Sequence, residues 1–224
     1  MTDRPDTPGS PPCSLHEWQE TADPSISADI AGWRRAERAR LFAVREALGP
    51  EARQGLAAEI GRRLLAVITE LAGDGSAGIA VFWPIRAEPD LQDCYGTLAA
   101  RGMRLLLPVV AEKDQPLRFH RWRPGDELGR DRLGIPAPID AAVLVPDMVV
   151  MPFVGIDQQG YRLGNGGGYY DRTLPVFAPD ATRIAVGYAS CELRTIYPQA
   201  HDIPAHVVVT DDFVRLFNRS GGAA

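Results

Sequence analysis

Residues 160–172, reading GYRLGNGGGYYDR, carry the densest chemistry in the chain. Gly164, Gly166, Gly167 and Gly168 put four glycines in five positions. Such a run lets the backbone take positive φ and approach a ligand closely. Its N–H groups, together with the start of a following helix, can cradle phosphate oxygens. Arg162 sets a cation ahead of the loop, Leu163 and Asn165 sit within it, and Tyr169 and Tyr170 close it. Asp171 comes directly after and offers a hard oxygen ligand for Mg²⁺. These types together suit the binding of phosphate groups, with a cation and a metal-ligating carboxylate at hand; a tight glycine turn with a solvated aspartate is the plainer alternative. The loop is not a Walker A motif, because no Gly-Lys-Ser/Thr comes after it. Nor is it a dinucleotide fingerprint, because Tyr169 stands where the last glycine should be. Gly73, Gly75 and Gly78 do match G-x-G-x-x-G. They lie between a helix and a strand, the wrong order for a cofactor, and read as a turn.

A second cationic element lies near the start. Arg34 and Arg38 are four residues apart, so a helix puts them on one face, where they can clamp phosphates. The plainer reading of such a pair is a solvated helix face. The three cysteines, Cys13, Cys94 and Cys191, are widely separated and form no metal-ligand spacing. Cys94 and Cys191 read as buried apolar residues rather than nucleophiles.

These side chains need a scaffold, and the periodicity supplies one. Trp33, Ala36, Leu41, Val44 and Leu48 recur at helical spacing, with Ser27 as the expected cap and Gly49-Pro50 as the stop. Pro50 opens a second helix through Leu56, Ile60, Leu64, Leu65 and Ile68. From there the period shortens. Strands are expected over 79–83, 104–110, 117–121, 143–145, 148–153, 183–188 and 207–210, with helices over 91–101 and from 169. Strands alternating with helices predict an α/β fold with a mostly parallel sheet and no internal repeat.

Length and composition agree. The 224 residues allow one large domain with appendages. Residues 1–28 are polar and proline-rich and are expected to be a disordered extension, with the domain over 29–217 and a mobile tail over 218–224. A hydrophobic content of 45% and a formal net charge of −5 describe an ordinary globular chain, and they argue against a general nucleic-acid binder. No apolar run approaches the roughly 20 residues of a membrane helix. The N-terminus shows no secretory pattern, and three scattered cysteines suit a reducing compartment, so a cytoplasmic protein is expected.

RLGNGGGYYDR resembles the C-terminal signature of the 5-formyltetrahydrofolate cyclo-ligase family. Other segments agree in order: Arg34, Arg38 and Arg45-Glu46-Ala47-Leu48; Phe82-Trp83-Pro84 followed by Glu88; residues 102–110; residues 133–138; and His201-Asp202-Ile203-Pro204 with Val208-Val209-Thr210. The likeness runs over about residues 30–212. It implies a Rossmann-like α/β/α fold and an ATP- and Mg²⁺-dependent conversion of 5-formyltetrahydrofolate to 5,10-methenyltetrahydrofolate, with ADP and phosphate released. It implies ATP contacts at Arg34, Arg38, Arg162 and Leu163 to Tyr170, with Arg162 and Tyr170 nearest the chemistry. Substrate contacts are implied at Trp83, Glu88 and the stretch from Asn165 to Tyr169, and metal contacts at Asp171 and Asp202. Glu88 would bind the amino-imide edge of the pterin, while Trp83 and Tyr169 would stack on its rings. A loop charge at Glu88 and a core role for Trp83 remain the alternatives. The chain departs from the resemblance where some members are basic, at Asn165 and Gly167, and where many have Gln, at Leu193. A folate enzyme acting as a monomer or weak homodimer is therefore expected, with a cyclo-ligase-like ATP-binding protein lacking folate turnover as the second reading.

Overall fold

A computed structural model describes residues 24–73, 77–139 and 141–217, with side chains from residue 29. The expected tail over 218–224, most of the expected extension, Cys13 and the middle of the turn at 73–76 lie outside the described residues. Helix α1, Pro24–Ala47, begins within the expected extension and runs past Ser27, which is therefore inside the helix rather than its cap. Helix α2, Pro50–Ala72, starts on Pro50 after an extended Gly49, as proline's fixed φ and missing N–H favour.

The central sheet has seven strands in the order β12-β11-β9-β6-β1-β2-β3. These are β1 Gly78–Ala80, β2 Arg104–Val109, β3 Arg118–Trp122, β6 Met148–Pro152, β9 Thr182–Val186, β11 Val207–Val209 and β12 Val214–Leu216. The five inner strands pair in parallel, and β3 and β12 close the edges antiparallel. Side chains alternate between faces. Ile79, Met148 and Val150 join Leu41, Leu64 and Leu98 in one core, whereas Ala80, Val149 and Met151 join Leu174 in the other. So α1, α2 and α3 (Gln92–Ala100) cover one face and α4 (Tyr169–Phe177) covers the other. Strands buried on both sides must be apolar throughout, which is why these runs lack alternation in the sequence.

Three differences from expectation have local causes. Residues 143–145 make only an isolated bridge, Val143 to His120, before Pro146 turns the chain away. Leu128–Arg130 (β4) and Pro136–Pro138 (β5) form a small hairpin too short to show a period. Gly155–Asp157 (β7), Arg162–Leu163 (β8) and Glu192–Leu193 (β10) make a second, three-stranded sheet. Gly155 is required there, because a Cβ would lie 2.8 Å from both Leu41 of α1 and Leu193 of β10.

One core residue is out of type. Arg45 of α1 is fully buried, and none of its guanidinium nitrogens has a hydrogen-bond partner among the described residues. It lies near the Cys191 thiol and near Tyr188, whose buried hydroxyl is also unpartnered. The Glu88 carboxylate and the Cys191 thiol feel its charge, but among the described residues no carboxylate oxygen hydrogen-bonds it, and a buried charge so weakly paired is unfavourable. Arg45→Met, close in volume, is therefore expected to raise stability by about 1–3 kcal/mol, read from the urea midpoint. A lowered midpoint would show that Arg45 has an internal partner such as ordered water.

Candidate active site

Across the sheet the parallel strands lie in the order β2-β1-β6-β9-β11, so the chain leaves β1 toward β2 on one side and β6 toward β9 on the other. In an open α/β sheet, ligands bind at this reversal, beyond the carboxyl ends of the strands. Here the two segments leaving β1 and β6 meet. After β1 the chain passes Trp83 and turns at 85–88, with the Glu88 N–H donating to the Ile85 carbonyl at 2.9 Å. The central residues of that turn, Arg86 and Ala87, have φ of 47° and 55°. Neither is glycine, and such backbone costs of order 1 kcal/mol each, a strain found where a side chain must be aimed. The side chain aimed is Glu88, only 6% exposed. Its Oε2 accepts from the Ile85 N–H at 3.0 Å, and its Oε1 accepts from Asn165 Nδ2 at 3.0 Å. Burial pushes the Glu88 carboxyl above its ordinary pKa, while these two donors and the nearby Arg45 and Arg86 work against the shift.

Asn165 belongs to the glycine loop, which hangs between β8 and α4. Gly166 and Gly168 adopt φ of 100° and 62°, and Gly168 caps α4 in the left-handed region. The loop, Asp171, Arg172 and His201 line a cavity of about 340 Å³. Arg38 reaches the loop from α1, donating through Nε to the Gly164 carbonyl at 2.8 Å. Burial and the Arg34 cation lower the Arg38 pKa, and Asp202 opposes them. An anion beside Arg38 would relieve that unbalanced charge.

Arg34 is used differently from Arg38. It donates to the Ile196 carbonyl at 2.9 Å, to the Tyr197 carbonyl at 2.8 Å and to both oxygens of Asp202. All three of its nitrogens thus clasp α1 to the 196–202 segment. Asp202 also accepts from the Gln199 N–H, at 2.6 Å, so its oxygens are well occupied. Arg162 is 3% exposed in its side chain and donates to Asp171 Oδ1 at 2.9 Å and to the Ile203 carbonyl at 3.0 Å. Its guanidinium lies 5.6 Å from the Tyr170 ring centroid. Burial pushes the Tyr170 phenol well up, and the Glu88 charge adds to the shift.

Asp171 Oδ1 also accepts from the Ile203 N–H at 3.2 Å, so both of these donors fall on one oxygen of the carboxylate. Asp171 lines the loop cavity and so fits the resemblance's metal position as one carboxylate that phosphates and waters would supplement. Asp202, held by Arg34, fits less well. Among the described residues no group of three or more His, Cys, Asp or Glu side chains could hold a metal.

The structure therefore brings Glu88, Asn165, Gly164, Gly166, Arg38, Arg162, Tyr170 and Asp171 into one neighbourhood. Trp83 packs partly into the core, edge-on to Trp122 at 6.3 Å, and Tyr169 lies under Arg172 at 5.1 Å. Cys94 and Cys191 are buried free thiols, with burial pushing Cys94 up to about 12. One supporting residue escaped the sequence reading. Asp157 accepts from the Gln159, Tyr161 and Ile196 N–H groups and so ties the turn before Arg162 to the segment that holds Arg34. Its signal was an aspartate three residues before Gly160, a common turn pattern.

Fold and site define a doubly wound α/β enzyme whose glycine loop faces a buried carboxylate at the switch point. A model of the 5-formyltetrahydrofolate cyclo-ligase family matches residues 30–211, and the chain belongs to that family. The 5-formyltetrahydrofolate cyclo-ligase of Escherichia coli is 34% identical over 174 residues, covering 74% of this chain and 93% of that protein. The protein of the same name from Mycolicibacterium smegmatis is 33% identical over 141 residues, covering 59% of this chain and 72% of its own. Among solved structures, the 5,10-methenyltetrahydrofolate synthetase of Aquifex aeolicus superposes with a TM-score of 0.70 at 27% identity, covering 85% of this chain and 95% of that one. A synthetase of the same type from Mycoplasma pneumoniae reaches 0.65 at 21% identity, over 80% and 98%, and shows the shared fold.

Proposed function

We propose that the chain converts 5-formyltetrahydrofolate to 5,10-methenyltetrahydrofolate, consuming ATP in the presence of Mg²⁺. The observation that carries this reading is the meeting of Glu88 with the glycine loop through Asn165. It sets a carboxylate for an amino-imide edge beside a loop for phosphates. In the reaction, the formyl oxygen attacks the γ-phosphorus and ADP leaves. N10 then attacks the activated formyl carbon, loses its proton, and the ring closes as phosphate departs with the former formyl oxygen. Glu88 holds the pterin, the loop and Arg38 neutralise phosphate charge, and Arg162 positions Asp171. Tyr170 flanks Arg162 as an apolar wall. A metal at Asp171 would supply further neutralisation of the β- and γ-phosphates.

Arg34 serves this scheme as a clasp that shapes the 196–202 wall and holds Asp202. Arg38→Ala is accordingly expected to raise KM for ATP about tenfold and to leave KM for folate within twofold, measured by initial rates. Arg34→Ala is expected to lower Tm by several degrees and to weaken both substrates together. An Arg38→Ala variant with normal ATP dependence and damaged folate binding would contradict the placement of phosphates at the loop.

Among the described residues no helix is long and apolar enough to cross a membrane. The buried, unpaired thiols of Cys94 and Cys191 support a reducing, cytoplasmic setting.

A further inference from the structure

We propose that Asn165 couples the two ligand subsites, so that a reduced folate on Glu88 frees the glycine loop to close on the phosphates of ATP. The inference rests on the proposed function and adds an order and a sign to it.

Glu88 is held from its own side by the turn at 85–88 and by the Ile85 N–H on Oε2. Its carboxylate cannot swing to meet a ligand without breaking that turn. The side chain is buried, at 6% exposure, and Glu88 lines a cavity of about 670 Å³ bordered by α2 and α3. The remaining contact, Asn165 Nδ2 on Oε1, comes from a loop with two left-handed glycines and an exposed Asn165. Of the two donors on Glu88, only the second comes from an exposed loop outside the turn that holds Glu88. A ligand that presents paired N–H donors to the carboxylate therefore takes the place of the Asn165 amide on Oε1.

The consequences of that exchange are local. Gly164, one residue before Asn165, accepts from Arg38 Nε at 2.8 Å. Gly166, one residue after, lies beneath the Arg38 guanidinium, where an added Cβ would be 3.8 Å from Arg38 Cζ. Asn165 thus stands between the two glycines that meet Arg38. Moving it away from Glu88 shifts the loop at the cation that faces the nucleotide. It also releases an amide donor for a phosphate oxygen. Both effects favour ATP, so the coupling is positive. The neutral amide suits such a latch, because an arginine in its place would form a charge-assisted pair with Glu88 that a ligand displaces less readily.

Isothermal titration with a non-hydrolysable ATP analogue and Mg²⁺, without and with saturating 5-formyltetrahydrofolate, measures the coupling. We expect the folate to tighten analogue binding about tenfold in the unaltered protein. In Asn165→Ala, each ligand alone should still bind, and the folate effect should fall to within twofold of none. Hydrogen exchange of residues 163–168 in the unaltered protein gives a second readout. Folate alone should raise exchange there, whereas a merely structural Asn165 would leave it unchanged or lowered. Binding of both ligands without coupling, coupling that survives Asn165→Ala, or no rise in loop exchange overturns the proposal and leaves the functional reading intact. Failure of either ligand to bind overturns both.

Discussion

Glu88→Gln is expected to raise KM for 5-formyltetrahydrofolate about a hundredfold while KM for ATP stays within severalfold. A carboxylate accepts from two N–H donors at once. An amide in its place accepts from one and confronts the other with its own N–H. Leaving a buried donor unpaired costs about 1–3 kcal/mol, and the upper end, near 3 kcal/mol, corresponds to roughly a hundredfold. The pH profile gives an independent check. Burial raises the Glu88 pKa above the ordinary carboxylate value, against the opposing effects of Ile85 N–H, Asn165, Arg45 and Arg86. Protonation turns the acceptor into a donor. So kcat/KM for folate should fall as pH drops through that raised pKa, and Glu88→Gln should flatten this limb. The linkage to stability has the opposite sense. The folded chain holds the Glu88 proton more tightly than the unfolded chain, so its contribution to stability declines as pH rises from the ordinary carboxylate value through the raised one. An unaltered folate KM in Glu88→Gln would return Glu88 to the status of a loop charge.

Asp171→Asn should lower kcat by about a hundredfold and recover part of the loss at raised Mg²⁺. The amide keeps the size of the side chain and one oxygen for Arg162 Nη2 and the Ile203 N–H, so the local frame survives. What the variant would lose is the charge that, on the proposed reading, would hold a hard cation against the phosphates. One such contact in a dry site is worth about 3 kcal/mol. The helix contribution is small by comparison. A carboxylate in the first turn of α4 interacts with the helix dipole by about 0.3–1 kcal/mol. A rate near that of the unaltered protein, with unchanged Mg²⁺ dependence, would leave Asp171 as the partner of Arg162 and nothing more.

The glycine loop was legible because its conformation demands its composition. Only glycine readily accepts the φ values of 100° and 62° at Gly166 and Gly168, so the sequence must display them. The parallel strands were legible because burial on both faces leaves continuous apolar runs, as in 148–153. The helices α1 and α2 were legible through their spacing and through Gly49-Pro50. The small sheet of β7, β8 and β10 was not, since two- and three-residue strands show no period. The strand expected at 143–145 failed for a related reason: an apolar run next to Pro146 can border an edge strand without joining it. At the site, residue types were readable but their partners were not. Arg34 and Arg38 look equivalent on a helical wheel. Long-range contacts separate them, giving Arg34 to Asp202 and the 196–202 segment and Arg38 to Gly164. The bond between Asn165 and Glu88 spans 77 residues of sequence, and local pattern carries no trace of it.

With Glu88 holding the pterin and the glycine loop holding phosphates, as proposed, the protein should close a ring at the expense of ATP. Absorbance at the methenyl band, recorded over time after mixing the protein with 5-formyltetrahydrofolate, ATP and Mg²⁺, tests this most directly. The band should grow with time, one phosphate should be released per methenyl product, and neither should occur when ATP or folate is left out. ATP binding with no methenyl band and no folate-dependent phosphate release would contradict the account and leave a nucleotide-binding protein on the same fold.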